Sequence, residues 1–383
     1  MRPQAKNVVL FSAVIAVLAL AFFITSALAP TGPGRAQPIP QASSAPAAKT
    51  AGETFKNIQV LKDIPANQLI PSMEFIASSL GVHCEFCHVE GDFSKDTKRP
   101  KLTARHMIAM ELAINKENFH GHPEVTCYTC HRGMTHPMGV PVITAAMTNG
   151  APGGGMNAEG MNHEPGVNAD AVIAKYVEAL GGAEALGKIT TRVEKGSAAG
   201  PGGRSTPVEV DSKAPDEQRL VMQTPNGNNT RVFNGRQGWL VAPGRPPRAI
   251  TGAELDAMKL GADFHLALDL KKEFQHLRVG RPESIDGRQM TVLMGSNPDH
   301  PPVKFYFDPD SGLLTRIETF EPTPLGYNPT QVDFADYRVS DGVKLPFRQT
   351  VSQPGRSFTT QFEQVEQNVP IDDSDFNEPA AEN

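Results

Sequence analysis

The chain has 383 residues, with 36 Lys and Arg against 42 Asp and Glu, and a formal net charge of −6. That balance excludes a general nucleic-acid binder. Hydrophobic residues at 39% and charged residues at 20% exclude both a polytopic membrane protein and a fully disordered chain. The 34 Gly and 33 Pro point to long linkers, and the length points to about two domains.

Arg2 and Lys6 precede an uncharged run of 22 residues, Val8 to Ala29, against the roughly 20 that a helix needs to cross a bilayer. Residues 1–29 therefore read as a signal peptide or as a retained membrane anchor. Ala27-Leu28-Ala29 has the small-residue form of a cleavage site, whereas Pro30 hinders a cut there. In either case the basic start stays inside and the rest of the chain faces the periplasm, soluble or held at the inner membrane by residues 8–29. Residues 30–52, rich in Pro and Ala, form a spacer.

Residues 53–143 read as a small helical domain. Asp63 is a candidate cap for a helix beginning near Pro65. Leu69, Met73, Ile76 and Leu80 then share one helical face, and Gly81 is the stop. Thr103 is a candidate cap for a second helix carrying Met107, Met110 and Ile114 on one face, ended by Gly121 and Pro123. Each helix runs into a turn bearing two cysteines. Residues 144–169 follow as a Gly-, Asn- and Met-rich linker. Its Met147, Met156 and Met161 fit a low-complexity tether better than a soft-metal site.

Residues 170–379 change character. One short amphipathic helix, Ala171–Leu180, ends at Gly181-Gly182. Strand-like runs come next, among them RLVMQT, GWLVAP, VKFYFD and QVDFADYRV, separated by Pro-Asn-Gly, Asp-Gly and Pro-Asp-Ser-Gly turns. Strand following strand predicts a mostly antiparallel sheet. The fold class expected for the whole chain is thus α + β multidomain: an N-terminal helix, a small all-α domain, then an antiparallel β domain with a short helix. His265, His276 and His300 have no metal-ligand spacing, and residues 170–379 hold no catalytic motif.

The four cysteines are the most informative residues. They form Cys84-Glu85-Phe86-Cys87-His88 and Cys127-Tyr128-Thr129-Cys130-His131, two Cys-x-x-Cys-His motifs. This is the spacing of c-type haem attachment. Two thiols three residues apart on a turn reach the two vinyl groups of one haem, and the adjacent histidine lies under the iron. Zinc is the first alternative, but 39 residues separate Cys87 from Cys127, against roughly 15–20 between zinc-binding pairs. A redox dithiol would need one pair near a βαβ unit. The cofactors predicted are therefore two covalent haem c groups, with His88 and His131 as proximal iron ligands.

A sixth ligand from methionine is the electron-carrier pattern. Met73 lies 11 residues before Cys84, and Met107 and Met110 lie 20 and 17 residues before Cys127. On spacing alone each is either a ligand or core packing. Arg132 pairs with a haem propionate or stands unpartnered. His83, His106, His120, His122, His136 and His163 read as surface residues, with His120 or His122 as an alternative ligand at the second haem.

SMEFIASSLGVHCEFCH and ARHMIAMELAINKENFHGHPEVTCYTCHRG resemble segments of the tetrahaem cytochrome c subunit of photosynthetic reaction centres, over about residues 55–135. The resemblance implies helix, turn and haem motif at each site, with the distal methionine on the preceding helix. That falls on Met73 and Met107, with Met110 as the alternative to Met107. The chain departs from the family in having two motifs rather than four. Residues 170–379 have a strand-and-turn rhythm that resembles outer-membrane lipoprotein-sorting carriers, which are open half-barrels with an apolar cavity. The function expected is a periplasm-facing dihaem cytochrome, not an enzyme, passing single electrons between redox proteins of a photosynthetic reaction centre or a respiratory chain. Two alternatives stand beside it. One is a peroxidase-like haem enzyme with an open distal site. The other is a redox-linked module whose C-terminal sheet takes a lipid or other apolar ligand.

Overall fold

The computed structural model describes residues 49–137 and 168–379, apart from 201, 202, 204, 299 and 355. The expected export segment 1–29, the spacer up to residue 48 and nearly all of the linker 144–169 lie outside the described residues. Among the described residues no helix is long and apolar enough to cross a membrane.

The first half is helical. A capping box between Thr50 and Glu53 starts the short α1, Ala51–Thr54. A 3-10 turn, Ala66–Gln68, leads into α2, Leu69–Leu80. The helix starts later than the Asp63 cap predicts, because Pro65 and the 3-10 turn set its entry. The stop falls on Gly81 as expected, in the left-handed conformation (φ 66°). Val82 N donates to Ala77 O at 3.0 Å and Gly81 N to Ser78 O at 3.1 Å, the Schellman pattern. The first motif follows as a 3-10 turn, Cys84–Phe86. The long α3 runs Arg99–Asn118 with Pro100 in its first turn, one turn earlier than a Thr103 cap predicts. Thr103 lies inside it and donates back to Arg99 O at 3.2 Å. The second motif is itself a helical turn, α4, Cys127–His131, capped by Thr126 and Thr129.

In the second half α5, Ala169–Ala179, is capped by Asn168 and ends at Gly181-Gly182 as predicted. Three helices were not anticipated: α6 Ala183–Gly187, α7 Ala253–Ala262 and α8 Leu266–Glu273. None has a side-chain cap at its start, so the local signal for each was weak.

The strands are β1 Thr191–Ala199, β2 Ser205–Lys213, β3 Glu217–Thr224, β4 Gly227–Asn234, β5 Gly238–Val241, β6 Arg248–Ile250, β7 His276–Val279, β8 Glu283–Ile285, β9 Arg288–Ser296, β10 Val303–Phe307, β11 Leu314–Thr323, β12 Gly326–Ser340, β13 Val343–Gln353 and β14 Arg356–Gln367. They form one sheet in the order β6-β5-β4-β3-β2-β1-β14-β13-β12-β11-β10-β9-β7, with β8 paired to β9. Every pairing is antiparallel, and the order does not return on itself, so the sheet is open. Asp286-Gly287 and Asp341-Gly342 form the two-residue turns that their sequence predicts, with positive φ at both positions.

Val172, Ile173, Tyr176 and Leu180 of α5 and Leu270 of α8 pack on Leu293, Phe305, Phe307 and Val343 of the sheet. Tyr176 meets Phe307 edge-on at 5.2 Å. These side chains fill the space between helices and sheet, so the structure lends nothing to the expectation of a lipid-sized cavity there.

The hairpin between β11 and β12 reaches the helical half. Its tip residue Leu325 is fully buried in a cluster with Ala51, Leu61, Leu69, Phe75, Ile76 and Ile108. The next residue, Gly326, has φ 137°, and a Cβ there would lie 2.7 Å from Phe75 Cζ and 3.1 Å from Thr126 Cγ2. Glycine lets the tip seat between α2 and the start of α4. Arg356 adds an ion pair to Glu74 of α2 at 3.7 Å. Truncating so buried a leucine leaves a cavity. Leu325→Ala is expected to lower stability by about 2–5 kcal/mol, read as a lower urea midpoint with an unchanged slope; an unshifted midpoint would mean the tip is not seated.

Candidate haem-attachment sites

Both motifs present the same local geometry. His88 Nδ1 donates to Phe93 O at 2.9 Å, and His131 Nδ1 donates to Met134 O at 2.9 Å. A carbonyl accepts only, so each Nδ1 carries the proton and each Nε2 keeps a free lone pair. That is the tautomer and orientation a proximal iron ligand needs, with the second-shell partner supplied by backbone. The turn geometry brings each histidine back over its cysteines: His88 N donates to Cys84 O at 2.9 Å.

Around the first motif lies an open, mostly apolar cleft. Met73, Ile76, Ala77 and Leu80 of α2 line it, as do Cys84, Cys87 and His88, and Ala104, Arg105 and Ile108 of α3. The structure thus brings the expected residues Met73, Cys84, Cys87 and His88 to one cavity. The α2 face predicted from its periodicity is the cleft wall. Its other face carries buried Ser72, Phe75 and Ser79 against α4 and the β11–β12 hairpin.

The second motif sits at the surface. Cys130 and Tyr128 are exposed and Cys127 is half-buried. Cys127 Sγ donates to Glu111 Oε2 at 2.9 Å. Burial pushes the Glu111 carboxyl up to about 7, against the lowering effect of that hydrogen bond. Burial also pushes the Cys127 thiol up, with Glu111 adding to the effect. Among the described residues Glu111 Oε1 has no hydrogen-bond partner. Met107 lies one turn before Glu111 on α3 and is 41% exposed; Met110 is 49% exposed. The Met107–Met110–Ile114 face predicted for this helix is mostly outward, because the buried stripe runs through Lys101, Ile108, Glu111 and Asn115. Arg132 is exposed, in the left-handed conformation after α4 (φ 51°). His83, His106, His120, His122 and His136 are exposed.

The two motifs are tied by backbone. Gly133 N donates to Ser79 O at 2.9 Å. A Cβ on Gly81 would fall 2.2 Å from Gly133 O, so only glycine permits this approach. Among the described residues no group of three His, Cys, Asp or Glu side chains gathers as a bare metal ion would need, and the two cysteine pairs do not share one site.

Sequence reasoning missed Lys101, which is buried in the cleft wall, as well as Arg105 and the segment 56–61 that closes the cleft. Lys101 lies one turn from Arg105 and two from Ile108 on α3, and that i, i+4, i+7 spacing was the available signal.

The helical half thus carries two Cys-x-x-Cys-His turns, each with its histidine held by a backbone carbonyl, the local arrangement of a candidate haem-attachment site. Residues 28–178 match the family described as the photosynthetic reaction centre cytochrome C subunit. Similar proteins include that subunit from Thermochromatium tepidum (34% identity over 103 residues, 24% of this chain and 25% of the relative). The subunit from Roseobacter denitrificans is 40% identical over 96 residues, 22% of this chain and 25% of the relative. Cytochrome c-554 from Chloroflexus aurantiacus is 33% identical over 82 residues, 20% of each chain. The chain spans about a quarter of the length of the reaction-centre relatives it matches. Solved structures similar to this chain include a LolA superfamily protein from Nitrosomonas europaea, at TM-score 0.39 and 16% identity, covering 55% of this chain and 98% of that one. Another is an outer membrane lipoprotein-sorting protein domain from Vibrio parahaemolyticus, at TM-score 0.39 and 13% identity, covering 55% and 94%.

Asn115 fastens the second motif to α3. Its Nδ2 donates to Val125 O at 2.7 Å and its Oδ1 accepts from Val125 N at 3.0 Å. Asn115→Ala leaves both backbone groups unpaired, at about 1–3 kcal/mol. The expected outcome is a lower fraction of chains carrying haem at Cys127 and Cys130, read by peptide mass, with loading at Cys84 and Cys87 retained. Equal loss at both motifs would contradict the local role.

Proposed function

We propose that this chain is a dihaem c-type cytochrome that exchanges single electrons with redox protein partners on the periplasmic side of a membrane. The observation that carries the reading is the repeated pairing of a Cys-x-x-Cys-His turn with a backbone carbonyl on the histidine Nδ1. The similarity of residues 28–178 to reaction-centre cytochrome subunits supports it.

Cys84 and Cys87 would hold one haem by thioether bonds, and Cys127 and Cys130 the other. When bound, each haem iron supplies reversible one-electron exchange between its ferric and ferrous forms. His88 and His131 offer Nε2 as proximal ligands. Met73, on the α2 wall of the cleft, would supply the distal sulfur ligand of the first haem, and Met107 that of the second, with Met110 the alternative on the same helix. A sulfur ligand favours the reduced form and leaves no open iron position for peroxide chemistry. Ile76, Leu80 and Ile108 would give the first haem an apolar wall, while Lys56 at the border of the cleft suits a propionate carboxylate. Arg132 has the same role at the second.

The Gly81–Gly133 contact keeps the two sites near each other. Gly81 is three peptide steps from Cys84, and Gly133 is two from His131. At ~3.8 Å per residue the two motifs lie within roughly 25 Å. The spacer of residues 30–52 would hold this pair away from the membrane surface. Whether residues 8–29 are cleaved decides between a soluble and an anchored carrier.

The test is spectroscopic, on protein produced with haem-attachment machinery. Met73→Ala and Met107→Ala are each expected to remove one of two sulfur-to-iron charge-transfer signals in the oxidised protein. If Met110→Ala removes the second signal instead, the ligand is Met110. Full retention in all three variants overturns methionine ligation, and a high-spin wild type turns the reading to a haem enzyme.

A further inference from the structure

Lys101 is an unusual residue for the wall of an apolar cleft. It is 8% exposed, and a buried ammonium is costly unless it is fully paired. Its pairing is complete. Nζ donates to Phe93 O at 2.8 Å, Ser94 O at 3.0 Å and Lys95 O at 2.9 Å, and lies 3.0 Å from Asp96 Oδ1. The loop 92–97 is folded around this one cation. Asp96 also takes a two-pronged bond from Arg105, at 2.8 and 2.9 Å. Arg105, ahead of Asn57 and Lys101, holds the Asp96 carboxyl well below the usual carboxylate range. Two cations and one anion leave the cluster with a net positive charge.

The carbonyl that Lys101 holds most closely is Phe93 O, which is also the acceptor for His88 Nδ1. Resting on the dihaem reading above, we infer that Lys101 is a potential-setting residue: acting through Phe93 O on His88, it makes the first haem iron the easier of the two to reduce. Two effects share this sign. A carbonyl that already holds an ammonium is a weaker acceptor for Nδ1–H, so the imidazole pushes less charge toward its iron. A buried positive charge beside the cleft also favours the form of the haem with one more electron. The second site has a different build. Among the described residues no side-chain donor shares Met134 O with His131, and the buried side chain that bonds its first cysteine is the carboxyl of Glu111.

The test is a spectroelectrochemical titration of the full chain with both haems attached, covalent loading being checked by mass. Lys101→Met keeps the stem and removes the charge; it is expected to lower the higher of the two midpoints by at least tenfold in the reduction equilibrium, which is 59 mV for one electron, and to leave the lower in place, whereas a fall in the lower midpoint alone would contradict the inference. Lys101→Arg retains the charge and is expected to hold that midpoint near the wild-type value. Asp96→Asn removes the counter-charge and is expected to raise the same midpoint. Should Lys101→Met fail to load, the Asp96→Asn titration decides. Two attached haems whose midpoints ignore both changes would overturn the inference and leave the dihaem reading standing. A chain that never carries two haems would overturn the dihaem reading first.

Discussion

The approach of Gly81 to Gly133 is the constraint from which the helical half is built. A side chain at Gly81 would overlap the Gly133 carbonyl. The same contact lets Gly133 N bond to Ser79 O at the end of α2. One short segment thereby ends the helix that forms the wall of the first cleft and anchors the turn that carries the second motif. Ser72 and Ser79 are buried on that face of α2, and Ser79 meets the Gly133 backbone there. Phe75, between them, is where the sheet makes contact, through Leu325 and Gly326. α2 therefore joins three things: a cofactor cleft on one face, the second motif on another, and a hairpin from the other half of the chain.

The two sites are alike in their histidines and unlike in their surroundings. The first lies in a cleft walled by two helices and supported by a loop wrapped around a buried lysine. The second lies at the surface, with exposed Met107, Met110 and Tyr128 on the elements that carry it. Both motifs keep one cysteine exposed and one half-buried, and the same backbone contact holds them together; what differs is the set of side chains around each. The sheet half adds Leu325 to the core of the helical half, so it is part of the fold that positions the two motifs as well as a packed body of its own.

What the sequence made legible was local. Two Cys-x-x-Cys-His strings identified the cofactor, Gly81 marked the end of α2, and Asp-Gly pairs marked two hairpins, because each depends on residues within one turn of chain. Met73 was legible too, since the periodicity of α2 put it on the face that lines the cleft. The start of α3 was missed because Thr103 is a plausible cap, whereas Pro100 and the preceding loop set the true start. Three helices without side-chain caps, and the strands β1, β2 and β13, gave weak signals against polar alternation. Lys101 and Leu325 were out of reach for another reason. A lysine in a helix reads as solvated, and a leucine in a Pro-Leu-Gly turn reads as exposed, until loop 92–97 folds around the one and α2 and α4 close on the other.

The account rests on each motif holding its own haem. Intact mass of the denatured chain, after production with haem-attachment machinery, measures this most directly because thioether bonds survive unfolding. The predicted result is the mass of the chain plus two haem groups, with no free thiol among Cys84, Cys87, Cys127 and Cys130. A chain that retains free thiols at either motif under conditions where other c-type cytochromes mature fully would contradict it.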